Sequence, residues 1–334
     1  MFNGNTNDPD KLLFLAHSFI ISQCLYVAAK LDIAETVSKR SVDVRELAEL
    51  TNANPDVLSR ILRLLYSVGI FRQNENGKVE LTPVAGFLRS DMPGTIKNFI
   101  LMIGQDWHWK TWGHFYSSTQ TGKPTVEELY GMNVFDFLEK NAEAGEILDR
   151  VFDDFTKQLG SFLVRHYDFC KVKKVIDIGG GRGGLWAEVV KKNKELEVCI
   201  YDMPRVGREY DPPERTAEGG INYLQGNFFE NIPMNGDVYM MKNILHDWGD
   251  EQAKRIISNC YKAMADHSVL LVMESVVSND SGMNFTKFLD LEMFIIGGRE
   301  RTLSQYEELL APHFRCTRVQ PLAFSQSLME FKKI

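Results

Sequence analysis

Apolar positions along this chain change their period partway through. From Asp10 to Lys30, Leu13, Phe14, Phe19, Ile20, Leu25 and Ala28 follow helical spacing with little strongly polar surface opposite. That pattern predicts a helix in need of a partner. Asp43, followed three residues later by Glu46, suggests a capping box for a helix over Val44 to Leu50. Asn54-Pro55 opens a longer helix, and Gly69 closes it. Ile70 to Gln73 and Lys78 to Leu81, on either side of Asn74-Glu75-Asn76-Gly77, then read as a β-hairpin. Helices followed by such a hairpin form a winged-helix pattern.

Aromatic residues crowd the next stretch: Trp107, Trp109, Trp112, Phe115 and Tyr116, then Phe135, Phe137, Phe152 and Phe155. These are expected on helices bridging two modules. From Val175 onward the pattern is one of short apolar runs alternating with helical segments. Val175 to Ile178, Glu197 to Asp202, the region after Asp237 and Val269 to Glu274 read as strands buried on both faces. A helix is expected from Leu185 to Lys192, and Phe314 to Val319 with Ser327 to Phe331 reads as a closing strand pair. The expected architecture is α/β, with a Rossmann-like doubly wound, largely parallel sheet behind an N-terminal helical winged-helix domain. The expected division is residues 1–95 for the winged-helix module and 96–334 for the bridging helices and catalytic domain.

Composition narrows the function classes. A winged helix raises DNA binding, and Arg60 and Arg63 fall on the candidate recognition helix, but the net charge is −7 and no basic stripe is visible. Nucleic acid is therefore not an expected partner. The chain's 334 residues, 44% hydrophobic and 25% charged, suit an ordinary two-part globular protein. Five scattered cysteines show neither metal-like pairs nor a disulfide pattern. The opening residues Met-Phe-Asn-Gly-Asn-Thr-Asn-Asp lack signal-peptide character, and no run reads as a membrane span. A soluble, cytoplasmic protein is expected.

The most informative segment is Val175-Ile-Asp-Ile-Gly-Gly-Gly-Arg-Gly-Gly184, a β-run ending in five glycines. Gly179, Gly181 and Gly183 permit positive φ and close backbone approach to a ligand, and the following helix offers free N–H groups. Gly179-x-Gly181-x-x-Gly184 fits a dinucleotide fingerprint, while Gly179-x-Gly181-x-Gly183 fits the looser pattern of S-adenosylmethionine (SAM) enzymes. Asp202, at the end of the next strand, is placed to accept ribose hydroxyl hydrogen bonds, a role common to both ligands.

Further motifs decide between them. Val-Ile-Asp-Ile-Gly-Gly-Gly181, Tyr201-Asp-Met-Pro204, Gly226-Asn-Phe-Phe229, Ile244-Leu-His-Asp-Trp248 and Gly297-Gly-Arg-Glu-Arg-Thr302 stand in order along the chain. Over nearly its whole length the chain resembles the SAM-dependent O-methyltransferases of small aromatic metabolites, the plant caffeic acid and flavonoid, animal acetylserotonin and bacterial polyketide-tailoring enzymes. The resemblance implies SAM as cofactor, held by Gly179, Gly181, Asp202 and Lys242, with Phe228 against the adenine. Asn227 departs from the Asp that many relatives carry, although its side-chain oxygen can accept the same bond from the adenine amino group. It implies a homodimer through the first module, whose helices reach into the partner's pocket. An antiparallel hairpin is expected to close the sheet.

Methyl transfer to oxygen requires the acceptor hydroxyl to lose its proton. His246 is the expected base, since an imidazole with an ordinary pKa of about 6.5 is mostly free to accept a proton at neutral pH. Glu274 and Glu300 are the expected orienting acids. Phe152 and Met293 match acceptor-pocket positions of relatives, and Trp107 joins them because Asp106 and His108 flank it. No metal is required, and no His or Asp cluster suggests one. The same scaffold also serves N- or C-methylation and non-methylating chemistry in relatives, and a SAM-binding DNA regulator is a third reading.

Overall fold

Helix Pro9–Lys30 opens the computed structural model, which describes residues 9–203, 215–216, 219–322 and 325–334. Residues 1–8 and Pro204, on which two of the expectations above fall, lie outside that set. The chain forms two compact units, Met1–Lys110 with Asn141–Asp154, and Thr111–Lys140 with Phe155–Ile334.

In the first unit, helices Ile33–Lys39, Val44–Leu50 and Pro55–Ser67 follow the opening helix. Strands β1 (Phe71–Gln73) and β2 (Val79–Leu81) pair antiparallel, with Phe71 opposite Leu81, as the winged-helix pattern predicts. Ala28, Ile33, Leu47, Leu58, Leu62 and Phe71 are among the residues of its core. Asn54 caps its helix by accepting from the N–H groups of Asp56 and Val57. Asp43 likewise accepts from Arg45 and Glu46, but the Glu46 carboxylate pairs with Arg40. The reciprocal half of the expected capping box is thus taken by a nearby cation.

The opening helix corrects one expectation. No Asp, Glu, Lys or Arg interrupts it between Lys11 and Lys30, so by length and composition it could cross a membrane. The polar residues within it, His17, Ser18, Ser22 and Gln23, are too few to lower its hydropathy. Cys24, Ala28 and Ala29 are buried in the first unit, whereas Leu12, Leu13, Phe14, Leu15, Phe19 and Ile20 are exposed.

The second unit is built on one sheet. Its strands are β3 (Lys174–Ile178), β4 (Glu197–Asp202), β5 (Arg215–Thr216), β6 (Gly219–Gln225), β7 (Val238–Lys242), β8 (Val269–Ser275), β9 (Phe314–Pro321) and β10 (Gln326–Lys333). Their order is β5-β6-β4-β3-β7-β8-β10-β9. Strands β6, β4, β3, β7 and β8 run parallel, while β10 is antiparallel to both β8 and β9, the expected closing hairpin. Alternation along β3 puts Ile176 and Ile178 in one apolar layer and Val175 in the other. The chain runs from β3 outward through β4 and then returns to β7 on the opposite side. This reversal opens a crevice at the carboxyl edge between β3 and β7, the place where doubly wound sheets bind ligands.

The helix after the glycine loop begins later than expected, at Ala187, and runs to Lys192. Gly183, at φ 71°, holds a turn in which the Trp186 N–H reaches its carbonyl at 3.0 Å.

Candidate active site

Two glycines shape the cofactor side of the crevice. Gly179 has φ 68°, and a Cβ there would lie 2.3 Å from Cδ1 of Ile244, so only glycine lets the loop pack on the segment after β7. Gly181 has φ 59°, and a Cβ there would meet nothing within 4 Å. The backbone at Gly181 thus faces open space. Its N–H donates to Oδ2 of Asp202 at 2.9 Å, and the Met203 N–H donates to Oδ1 at 2.7 Å. Both carboxylate oxygens thus face backbone amides at the end of β4. The Tyr223 hydroxyl donates to the Gly181 carbonyl.

Phe228 packs on Phe229 and Trp248 and comes within 3.7 Å of a Cβ placed at Gly179. Asn227 turns its side chain toward its own loop, Oδ1 accepting from the Phe229 N–H and Nδ2 donating to Glu230, both at 3.0 Å. Lys242 ends β7, and its charge acts on Asp177 and Asp247. Asp177, to which the sequence assigned no role, is buried beneath the loop. Burial pushes its carboxyl up to about 7 against the Trp186 indole bond and Lys242. An open glycine surface, a strand-end carboxylate and an aromatic face together suit an adenosine with a polar tail.

A second group of polar side chains centres on His246. It sits on a short 3₁₀ turn, Leu245–Asp247, and is almost wholly buried. Its Nδ1 is 3.0 Å from Oε1 of Glu300 and 3.5 Å from Oε2 of Glu274, and its Nε2 is 3.4 Å from Oδ1 of Asp247. Oε1 of Glu274 accepts the N–H groups of Ile244 and Leu245 at 2.9 and 2.8 Å. Oε2 of Glu274 and of Glu300 are buried without a hydrogen-bond partner among the described residues.

Burial alone would lower the pKa of His246. The carboxylates of Glu274, Asp247 and Glu300 outweigh it and hold the ring up at about 10. Burial pushes Glu274 in the costlier direction, up to about 7, only partly offset by the ring, and raises Asp247 as well. The ring is the group driven toward its charged form, because three carboxylates surround one imidazole.

His246, Glu274 and Glu300 bring one nitrogen and two oxygens within 4.8 Å of one another. The two acids expected to flank the ring do meet it, and their donor types together with the imidazole also suit divalent metals, which the sequence had not suggested. Here Nδ1 is engaged by Glu300 and Oε1 of Glu274 by two amides, an arrangement that holds protons.

The remaining site candidates fall in both units. Trp107, in the first, donates from its indole to Gln105 at 2.8 Å, and Phe152, also in the first, is exposed. Met293, in the second, lies on helix Phe285–Ile296 and is half-buried. Asp247, Asp290 and Arg301 were missed. Asp247 adjoins His246 in sequence, Asp290 accepts the Glu300 N–H at 3.0 Å, and Arg301 lies inside the Gly297–Thr302 motif.

Two family models match the chain. Residues 112–313 match the family model of the O-methyltransferase domain, and residues 13–91 match that of the O-methyltransferase dimerisation domain. Phenazine O-methyltransferase PhzM of Lysobacter antibioticus is 35% identical over 329 residues, covering 97% of this chain and 96% of that protein. The structure of LaPhzM superposes with a TM-score of 0.86 at 33% identity over 98% of this chain and 99% of that one. CalO1, a methyltransferase of calicheamicin biosynthesis solved in its S-adenosylhomocysteine-bound form, superposes with a TM-score of 0.87 at 27% identity over 99% and 100%. The chain belongs to the SAM-dependent O-methyltransferase family, as an α/β methyltransferase domain preceded by a dimerisation domain.

Proposed function

We propose that this enzyme methylates a hydroxyl of a small aromatic metabolite and that His246 is the general base. The observation that carries the reading is the 3.0 Å contact between Nδ1 of His246 and Glu300. When Nδ1–H donates to that carboxylate, the lone pair on Nε2 is left to take the acceptor proton, and the imidazolium that forms is held by Glu300 and Glu274. Gly179, Gly181, Asp202, Asn227, Phe228 and Lys242 hold the cofactor. Bound SAM would supply a methyl group activated by its sulfonium, and a cation bound near His246 would draw the ring's pKa down from the raised value of about 10. No metal has a part in this scheme.

The names of relatives support an aromatic acceptor: a phenazine O-methyltransferase, and a 3-amino-4-hydroxybenzoate 4-O-methyltransferase of Streptomyces cremeus. Within the second unit, Trp112, Phe115 and Phe294 form an aromatic run beside Met293, the kind of wall planar substrates favour. Trp107 and Phe152, in the first unit, stay proposed acceptor-binding residues on the sequence alone. The matched dimerisation domain and the exposed apolar half of the first helix support a homodimer.

Incubating the protein with SAM and a panel of hydroxylated phenazines, benzoates and other phenols, with mass spectrometry of the products, tests the reading. A product heavier by one methyl group, formed together with S-adenosylhomocysteine, is expected. Methyl groups found on ring nitrogen or carbon and never on a hydroxyl of these acceptors would contradict it.

A further inference from the structure

The turn that carries His246 supplies few of its own hydrogen bonds. Besides the Asp247 N–H reaching the Ile244 carbonyl at 3.2 Å, several of its backbone groups are held from outside. Glu274 takes the amides of Ile244 and Leu245, and the Arg299 N–H donates to the His246 carbonyl at 2.7 Å. Arg301, only 1% exposed, takes the carbonyls on either side of the histidine. Its Nη1 donates to Leu245 at 2.7 Å and its Nη2 to Trp248 at 2.9 Å, while Nη2 and Nε bind Oδ1 of Asp250 at 2.7 and 3.2 Å.

We propose that Arg301 is a positioning residue for His246, its guanidinium spanning the turn so that the ring stays against Glu300. The proposal rests on the base reading above only for its catalytic consequence. Three observations carry it. A guanidinium this deeply buried is costly, and apolar packing would fill the same space at lower cost if filling were the only need. The planar fork meets two carbonyls and a carboxylate at once, which a lysine ammonium on its flexible stem cannot match. The segment bearing it is itself anchored, because the Val277 N–H donates to the Arg301 carbonyl at 3.0 Å beside the end of β8, the strand that carries Glu274. One short segment therefore presents Glu300 to the ring and Arg301 to the ring's own backbone. Gly298 completes the clasp, since a Cβ there would lie 2.3 Å from the His246 carbonyl oxygen.

The test is nitrogen NMR of the full chain labelled with ¹⁵N-histidine, the His246 ring signals being assigned by their loss in His246→Ala. In Arg301→Lys, with SAM affinity by calorimetry kept within about threefold as the check on folding, those signals should move and their titration should shift toward the ordinary histidine value of about 6.5. Methyl-transfer kcat on an acceptor found by the panel should fall roughly 10- to 100-fold while KM for SAM holds. Native ring signals and native kcat in the folded variant would overturn the proposal. Should Arg301→Lys fail to bind SAM, Asp250→Ala removes one arm of the clamp and should move the same signals in the same direction; unchanged signals there would overturn it too. Full activity in His246→Ala would defeat the base reading instead and leave the ring-signal result standing.

Discussion

Glu300 Oε1 lies 3.0 Å from His246 Nδ1, across 54 residues of sequence, with both side chains buried. A carboxylate in that place fixes which ring nitrogen carries the proton. In Glu300→Gln the amide oxygen can still accept from Nδ1–H, but the charge that stabilises the imidazolium is gone. We expect kcat to fall about 10²- to 10⁴-fold, the scale of general-base assistance, with SAM affinity by calorimetry nearly unchanged. A variant with native kcat would show that Glu300 has no part in orienting the base.

Stability should depend on pH through the same ring. The folded-state pKa of His246 is raised to about 10, against about 6.5 for an unfolded histidine. Its contribution is therefore full below 6.5 and is lost as pH climbs toward 10. Glu274 and Asp177 are raised to about 7, so burial of their charged forms costs stability as pH rises from about 4 to 7. Thermal melting of the cofactor-free protein should fall between pH 6.5 and 10, and the slope should flatten in His246→Ala. Identical slopes in the two proteins would mean that the ring is not held in its charged form.

The cofactor side depends on Asp202. Its carboxylate accepts from the Gly181 amide, and in the proposed site it would meet a ribose hydroxyl. Asp202→Ala should weaken SAM binding about tenfold or more, the effect of losing one or two charge-assisted bonds. Calorimetric affinity equal to that of the native protein would place the ribose elsewhere.

Much of this site was legible before folding was considered. The positive φ at Gly179 and Gly181 follows from a strand that must turn sharply into a helix, and glycine is the residue that permits it. His246 stood out because its neighbours form a recognisable motif. What the sequence hid was burial. Nothing in the spacing of Glu274 and Glu300 says that both carboxylates are sealed against one imidazole, nor that Arg301, an apparently ordinary charge, is among the most buried large side chains. Those facts depend on β8 and the Gly297–Thr302 segment meeting beside β7. The first helix misled in another way: its polar residues break up the apolar run to the eye, yet none of them is charged, so the segment stays apolar enough for a membrane.

The exposed apolar half of that helix gives a prediction about assembly. Leu12, Leu13, Phe14, Leu15, Phe19 and Ile20 leave an apolar surface that a second copy would cover. Phe14→Glu combined with Phe19→Glu should turn a dimer into a monomer by sedimentation. A native protein that sediments as a monomer would rule out the proposed homodimer.

The central claim is that His246 takes the acceptor's proton. The most direct test is the single-turnover rate of methyl transfer with enzyme saturated in SAM, compared between native protein and His246→Ala at pH 7 and again at high pH, where the acceptor ionises unaided. A loss of about 10²- to 10⁴-fold is expected at pH 7, narrowing as the phenol deprotonates itself. Equal rates at pH 7 would contradict it.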